Sequence, residues 1–305
     1  MLAAAAAVAA PPTASYYSPV KPSRRWRVSW SCRAATVEAW YSQLEVRKVT
    51  YRPPGTEHNL LNEINLSLRE KSFGLIFGRS GSGKTTLLQL LAGLSEPTSG
   101  SICIQKYDDS GNPIGLSEML TSQRVGIVFQ FPERYFLADT VLEEVTFGWP
   151  RQKADLLFKE QLAKNLQNAL NLVGLTTISL DEDPQSLSGG FKRRLALAIQ
   201  LVQTPDLLLL DEPLAGLGSD YINQTKSVRD LVTIFIKPVI ELLFVNSFIS
   251  ADWKARADVV NLLKDLKKHH TILVVSHDLR ELYPLVDRSW RMQMGGSLKE
   301  ESLPV

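Results

Sequence analysis

Cysteine is nearly missing from this chain: Cys32 and Cys103 are the only two in 305 residues. They offer neither a metal-ligand spacing nor a disulfide framework. That excludes a cysteine-stapled extracellular scaffold and favours a reduced compartment. Long apolar runs are missing too. A membrane-spanning helix needs about 18 or more uncharged apolar residues in a row. The nearest stretch, residues 231–250, is broken by Lys237, Pro238 and Glu241. Any role at a membrane therefore needs a partner that crosses it. Nor does the sequence repeat itself at the roughly 20–50 residue period of solenoids and propellers.

Acid is missing from the start of the chain. The first 37 residues hold no Asp or Glu, yet contain Lys21, Arg24, Arg25, Arg27 and Arg33. The formal charge of the whole is +2, so the remainder is net acidic and offers no basic face for nucleic acid. The opening MLAAAAAVAAPPTASYYS is rich in Ala, Ser and Pro. An acid-poor start that bears Ser and Arg reads as an organelle transit peptide over residues 1–37, disordered by composition. The lack of Arg in the first twenty residues favours a plastid over a mitochondrion. A disordered tail of no consequence is the alternative.

What is present is ordinary globular composition, 44% apolar and 22% charged, with room for one large domain or two small ones. Short apolar runs alternate with helical patterns. Strands are expected over 44–51, 64–68, 73–77, 101–105, 125–130, 206–210 and 271–276, and helices over 84–94 and 153–173. In the last of these, Phe158, Leu162, Leu166, Leu170 and Val173 recur about one turn apart. Buried strands alternating with helices predict an α/β fold with a largely parallel sheet.

The strongest chemical signal is FGLIFGRSGSGKTTLLQLLAGL, in which Gly78 to Thr85 reads G-x-x-x-x-G-K-T. An apolar strand precedes it and a helix follows it, the context a phosphate loop requires. Gly78, Gly81 and Gly83 let backbone N–H groups of Arg79, Ser80, Ser82 and their neighbours turn inward. The helix start at Lys84, Thr85 and Thr86 adds orphan donors and partial positive charge. Lys84 would reach the β- and γ-phosphates, and the Thr85 hydroxyl would ligate Mg²⁺. PDLLLLDEP, residues 205–213, supplies the other half of the site. Four leucines make a strand buried on both faces, and Asp211 stands at its C-terminal end, where open α/β sheets place ligands. Asp211 would hold Mg²⁺, and Glu212 is placed to take a proton from an attacking water.

With LSGGFKRRLALAIQL, residues 187–201, the chain resembles the ATP-binding cassette (ABC) family over roughly 44–217 and 252–295. Ser188 reads as a helix cap, with Gly189 and Gly190 opening a second anion site. The resemblance implies a phosphate-loop nucleotide-binding domain: a RecA-like core, a helical subdomain near 134–190 and a small antiparallel sheet, spanning 38–305. It implies ATP and Mg²⁺ as ligands. It also implies a homo- or heterodimer in which Ser188, Gly189 and Gly190 of one subunit close on nucleotide held by the other. Phe191 replaces the usual Gln of that motif. Gln130 matches the residue that senses Mg²⁺ or the attacking water, and His277 matches the histidine at the γ-phosphate. Tyr51 is placed to stack on adenine, with plain packing as the alternative.

Residues 129–150 are similar to the ATPase subunits of energy-coupling-factor importers, of the cobalt, nickel and vitamin type. With the acid-poor start, the resemblance implies a plastid-targeted plant protein of the non-intrinsic ABC class. Such a chain would sit on the stromal side of the inner envelope membrane and work with separately encoded transmembrane subunits. A soluble cassette ATPase, for example in cluster assembly, is the competing reading.

One stretch does not fit. DEPLAGL ends at Leu217, and the pattern resumes at Asp252, which leaves 218–251 in excess. Fifteen of its 34 residues are Phe, Leu, Ile or Val, as U-rich plant intron sequence would give when read in frame. A retained intron, an amphipathic contact segment and a plain helical decoration are the three readings. The first adds the possibility that this isoform binds ATP and is defective in hydrolysis.

Overall fold

The run Leu207–Leu210 has no polar face to give to water, so it is stable only as a strand covered on both sides. The computed structural model, which describes residues 40–147, 156–216 and 255–304, puts it inside a six-stranded sheet, one strand in from an edge. The presequence over 1–37, the first residues of the helix expected from 153, and the excess stretch 218–251 lie outside the described residues.

The strands are β1 (Trp40–Tyr51), β2 (Leu61–Arg69), β3 (Phe73–Gly78), β4 (Ser99–Asp108) and β5 (Pro113–Met119). They continue as β6 (Val125–Val128), β7 (Leu207–Asp211), β8 (Thr271–Val275), β9 (Arg288–Met292) and β10 (Leu298–Glu300). Helices are α1 (Lys84–Leu91), α2 (Val141–Val145), α3 (Leu156–Val173), α4 (Gly189–Val202), α5 (255–267) and α6 (Leu279–Leu282). The central sheet has the order β10-β9-β3-β8-β7-β6, parallel except for the edge strand β10. A second, antiparallel sheet has the order β2-β1-β4-β5.

Strand periodicity divides the central sheet between two cores. Leu208 and Leu210, with Ile272, Val274, Phe73 and Leu75, pack against α3, α4 and α5. Leu207 and Leu209, with Leu273, Val275 and Ile76, pack against α1 and the antiparallel sheet. Successive side chains of a strand point to opposite faces, so consecutive leucines serve both layers. Truncating any of these, Leu208→Ala for instance, costs about 2–5 kcal/mol through lost burial and an unfilled cavity.

Element boundaries shift from the sequence expectation where tertiary pairing intervenes. β1 starts at Trp40 rather than Leu44, because it pairs with β4 along its whole length, Trp40 opposite Asp108. α1 stops at Leu91 rather than near 94, with Gly93 left-handed at φ 70°. β6 ends at Val128, so Gln130 lies two residues beyond the strand it was expected to close. β8 ends at Val275, one residue short of the expected 276, and a further parallel strand, β9, lies against β3.

Candidate active site

Parallel register assembles the site. Asp211, the last residue of β7, is paired with Val275, the last residue of β8, so Glu212 leaves its strand beside Ser276 and His277. The Glu212 N–H donates to the Val275 carbonyl at 2.8 Å. Its backbone is left-handed, φ 48°, a conformation that costs a non-glycine residue of order 1–2 kcal/mol and is characteristic of functional turns. The Glu212 carboxylate is held at both oxygens. Ser276 Oγ and the His277 N–H donate to Oε2 at 3.0 and 3.1 Å, and His277 Nε2 lies 3.2 Å from Oε1. Ser276 is fixed in turn by the Asp278 N–H at 3.1 Å.

The phosphate loop turns between β3 and α1 on glycines that nothing else replaces. Gly78 has φ 149°, and a Cβ there would lie 2.3 Å from the Met292 carbonyl oxygen. Gly83 has φ 100° and a Cβ position 2.8 Å from Leu61. Gly83 also stands at the N-cap of α1, where no side chain caps the helix, so its first N–H groups remain for an anion. Lys84 Nζ donates to the Gly78 and Arg79 carbonyls at 2.9 and 3.0 Å. Burial holds its ammonium below the usual lysine range, against the opposing pull of the Glu212 and Asp211 charges. The Thr85 hydroxyl donates to Asp211 Oδ2 at 3.0 Å. Burial pushes the Asp211 carboxyl up, although that hydroxyl and the charges of Lys84 and His277 draw it down.

Ser80, Gly81, Gly83, Lys84, Thr85, Thr86, Gln130, Asp211, Glu212 and His277 line one cleft of about 390 Å³. Nearly every expected phosphate, metal and proton-transfer residue thus converges. Ser82 lies behind this lining. It is buried, and its hydroxyl has no hydrogen-bond partner among the described residues. Tyr51 ends β1, is half-buried and packs on the core around α1; it is not among the lining residues. Ser188 caps α4 by accepting from the Phe191 N–H at 3.5 Å, and Gly189 and Gly190 begin that helix. None of these three lines the cleft either. The start of α4 and the phosphate loop are therefore not parts of one cleft.

Three contributors escape a reading of the sequence alone. Leu60 forms part of the cleft wall. Ser276 holds Glu212, and a serine directly after the apolar run TILVV was its one visible signal. Arg193 is buried at 5% exposure and donates to the carbonyls of Pro213, Gln130 and Ala215. Its signal was spacing: Arg193, Leu197 and Leu201 share the inward face of α4.

Residues 61–215 match the family model described as ABC transporter. The chain is 63% identical over 265 residues to a protein of Arabidopsis thaliana, "ABC transporter I family member 11, chloroplastic", covering 87% of this chain and 83% of that one. It is 31% identical over 255 residues to the energy-coupling factor transporter ATP-binding protein EcfA2 of Clostridium acetobutylicum, covering 82% and 76%. A solved dimer of an ATP-binding cassette, in a post-hydrolysis state with ADP and Pi, shares the fold with a TM-score of 0.56. That match has 23% identity over 86% of this chain and 99% of that one.

Proposed function

The chain belongs to the ABC transporter family and is an ATP-hydrolysing transporter subunit; from that premise we propose how it works and where. The observation that carries the reading is the convergence of Lys84, Thr85, Asp211, Glu212, Gln130 and His277 on one cleft, with Ser188–Gly190 outside it. Triphosphate enters the loop of Gly78–Thr86, meeting the free N–H groups of α1 and the Lys84 ammonium. Glu212 takes a proton from water as that water's oxygen bonds to the γ-phosphorus. The bond to the ADP oxygen breaks, and His277 and Lys84 stabilise the developing charge.

The donor set fits Mg²⁺, a hard cation that prefers oxygen. The Thr85 hydroxyl and the Asp211 carboxylate are already 3.0 Å apart, and Gln130 lines the same cleft. When bound there, the ion supplies charge neutralisation for the β- and γ-phosphates. Tyr51 stacks on adenine from the end of β1.

Because Ser188, Gly189 and Gly190 do not reach this cleft, they act on nucleotide held by a second subunit, identical or related. Mixing chains that carry Lys84→Ala with chains that carry Ser188→Arg tests this for the identical pair. Turnover that neither variant has alone supports composite sites; none in the mixture removes the homodimer.

Separately encoded membrane subunits complete the transporter. Among the described residues no helix is long and apolar enough to cross a membrane. The segment after Gln130 exposes Tyr135, Leu137, Leu142 and Phe147, with Leu137 at 76%, a surface suited to an apolar partner. The acid-poor start and the chloroplastic relative support the stromal face of the plastid inner envelope, with residues 1–37 as transit peptide. The similarity of residues 129–150 to energy-coupling-factor importers of the cobalt, nickel and vitamin type favours a cargo such as a transition-metal ion or small cofactor. Affinity purification from plastid membranes tests the partnership. Recovery without any integral membrane protein would favour a soluble cassette ATPase instead.

A further inference from the structure

Glu212 and Gln130 are far apart in sequence, and each follows a different strand. Their loops nonetheless share a single buried anchor on a third element. Arg193, in the second turn of α4, donates from Nη1 to the Pro213 carbonyl. From Nη2 it donates to the Gln130 carbonyl at 2.9 Å and to the Ala215 carbonyl at 2.7 Å. We propose that Arg193 is a positioning residue for ATP hydrolysis: its guanidinium locks the Gln130 loop and the Glu212 loop to the helix that Ser188 caps.

The chemistry suits arginine and no smaller cation. A planar guanidinium carries five N–H donors in a fixed fork, so it can serve carbonyls on two separate loops at once; a lysine head is a point charge. Arg193 is 5% exposed and its bond to Pro213 is buried, with those to Gln130 and Ala215 partly so, which raises the cost of leaving these carbonyls without their donor.

What the bonds hold is conformationally demanding. Glu212 is left-handed at φ 48°, and such a turn persists only where its surroundings over-determine it. The Val275 carbonyl fixes its entry, through the Glu212 N–H at 2.8 Å. The turn closes on itself where the Ala215 N–H donates to the Glu212 carbonyl at 3.0 Å. Arg193 fixes the exit by seizing the Pro213 and Ala215 carbonyls that follow. Its bond to Gln130 holds the chain two residues beyond the end of β6, with the Gln130 carbonyl turned to α4. Arg193 itself does not line the nucleotide cleft. Ser188 stands at the head of the same helix, so a contact made there with a partner's nucleotide is rigidly linked to both loops of this subunit's own site.

The proposal rests on the roles given above to Glu212 and Gln130. The test compares full-length Arg193→Gln, Arg193→Lys, Arg194→Gln and Glu212→Gln, measuring equilibrium ATP binding, melting temperature, KM and kcat per nucleotide-binding site. Arg194 is the internal control. It lies on the same helix, donates to the Val173 carbonyl at 3.0 Å and sits 3.9 Å from Asp258, away from both loops.

Arg193→Gln should keep ATP affinity and KM within about twofold while kcat falls tenfold or more, since displacing a reacting group by about 1 Å costs up to 100-fold. Arg193→Lys should fall between Arg193→Gln and the parent. Arg194→Gln should lower the melting temperature and leave kcat per site unchanged. If Arg193→Gln lowers kcat no more than Arg194→Gln does, or loses KM and kcat together, positioning is wrong. Full turnover in Glu212→Gln would overturn the Glu212 role and the positioning proposal with it, whereas a dead Glu212→Gln beside an active Arg193→Gln would overturn the proposal alone.

Discussion

His277 grips Glu212 at both carboxylate oxygens, its backbone N–H 3.1 Å from Oε2 and its ring Nε2 3.2 Å from Oε1. Because Glu212 is also bound by Ser276, its position is set by the two residues that follow β8 and not by its own flexible stem. Glu212→Gln keeps the shape of this cluster and removes the base. Its turnover should fall at least about 100-fold, the lower end of what general base catalysis supplies, with ATP affinity retained. Ser276→Ala should lower kcat by about tenfold at near-constant KM, because one of the bonds that aim the carboxylate is gone. Phosphate release and nucleotide binding, measured side by side, check both.

Asp211 carries a stability cost in its buried charge. Burial raises its folded pKa above the value in the unfolded chain. The folded state therefore binds the proton more tightly, and the penalty for the charged form is present at neutral pH. It fades as pH falls through the raised value towards the ordinary carboxylate range. Asp211→Asn keeps an acceptor for the Thr85 hydroxyl and removes the buried charge. It should raise the melting temperature of the metal-free protein by about 2–4 °C per kcal/mol recovered. The same substitution should abolish the further stabilisation by Mg²⁺ with ATP. Calorimetry with and without Mg²⁺ and nucleotide decides this.

Lys84 titrates below the usual lysine range because burial disfavours its charge. Only the charged form attracts phosphate, so ATP affinity should weaken as pH rises through that lowered value, earlier than an exposed lysine would allow. Lys84→Ala should bind ATP at least about tenfold more weakly, given that charge-assisted hydrogen bonds are worth roughly 1.5–3 kcal/mol, and should lose this alkaline dependence. Binding of a non-hydrolysable analogue across the alkaline range is the measurement.

The excess stretch 218–251 begins two residues after Gly216, on the chain that Arg193 holds. Deleting these residues should raise ATP turnover, because the loop after Glu212 then continues directly into Asp252. Equal turnover in both forms would show the stretch to be harmless. Genomic sequence across the same codons should begin the excess with GT and end it with AG, if it is a retained intron.

Much of this site was legible because its parts are local. The phosphate loop needs left-handed glycines and a helix start within a few residues, and Gly78, Gly83 and α1 supply both. The capping role of Ser188 is likewise a matter of neighbouring residues. Less legible were boundaries that depend on distant partners. β1 begins early because β4 is there to pair with it, and Gln130 lies beyond β6, where Arg193 takes its carbonyl. β9 was overlooked although RSWRM buries Trp290 and Met292 at alternate positions, a period too short to stand out by itself.

The sequence by itself determined the local devices: a glycine turn that opens a helix, an acid pair at the end of a doubly buried strand, and a helix capped by Ser188. Each follows from backbone conformation and side-chain period over a few consecutive residues. Tertiary structure decided which devices meet. The Asp211–Val275 register puts Ser276 and His277 on Glu212, and packing of β3 beside β8 brings the Thr85 hydroxyl to Asp211. It also turned Arg193 from a residue of a family motif into the anchor of two loops. Hydrophobic period fixes which face of a strand is buried, but register and neighbours are chosen by the whole core, and the chemistry depends on those.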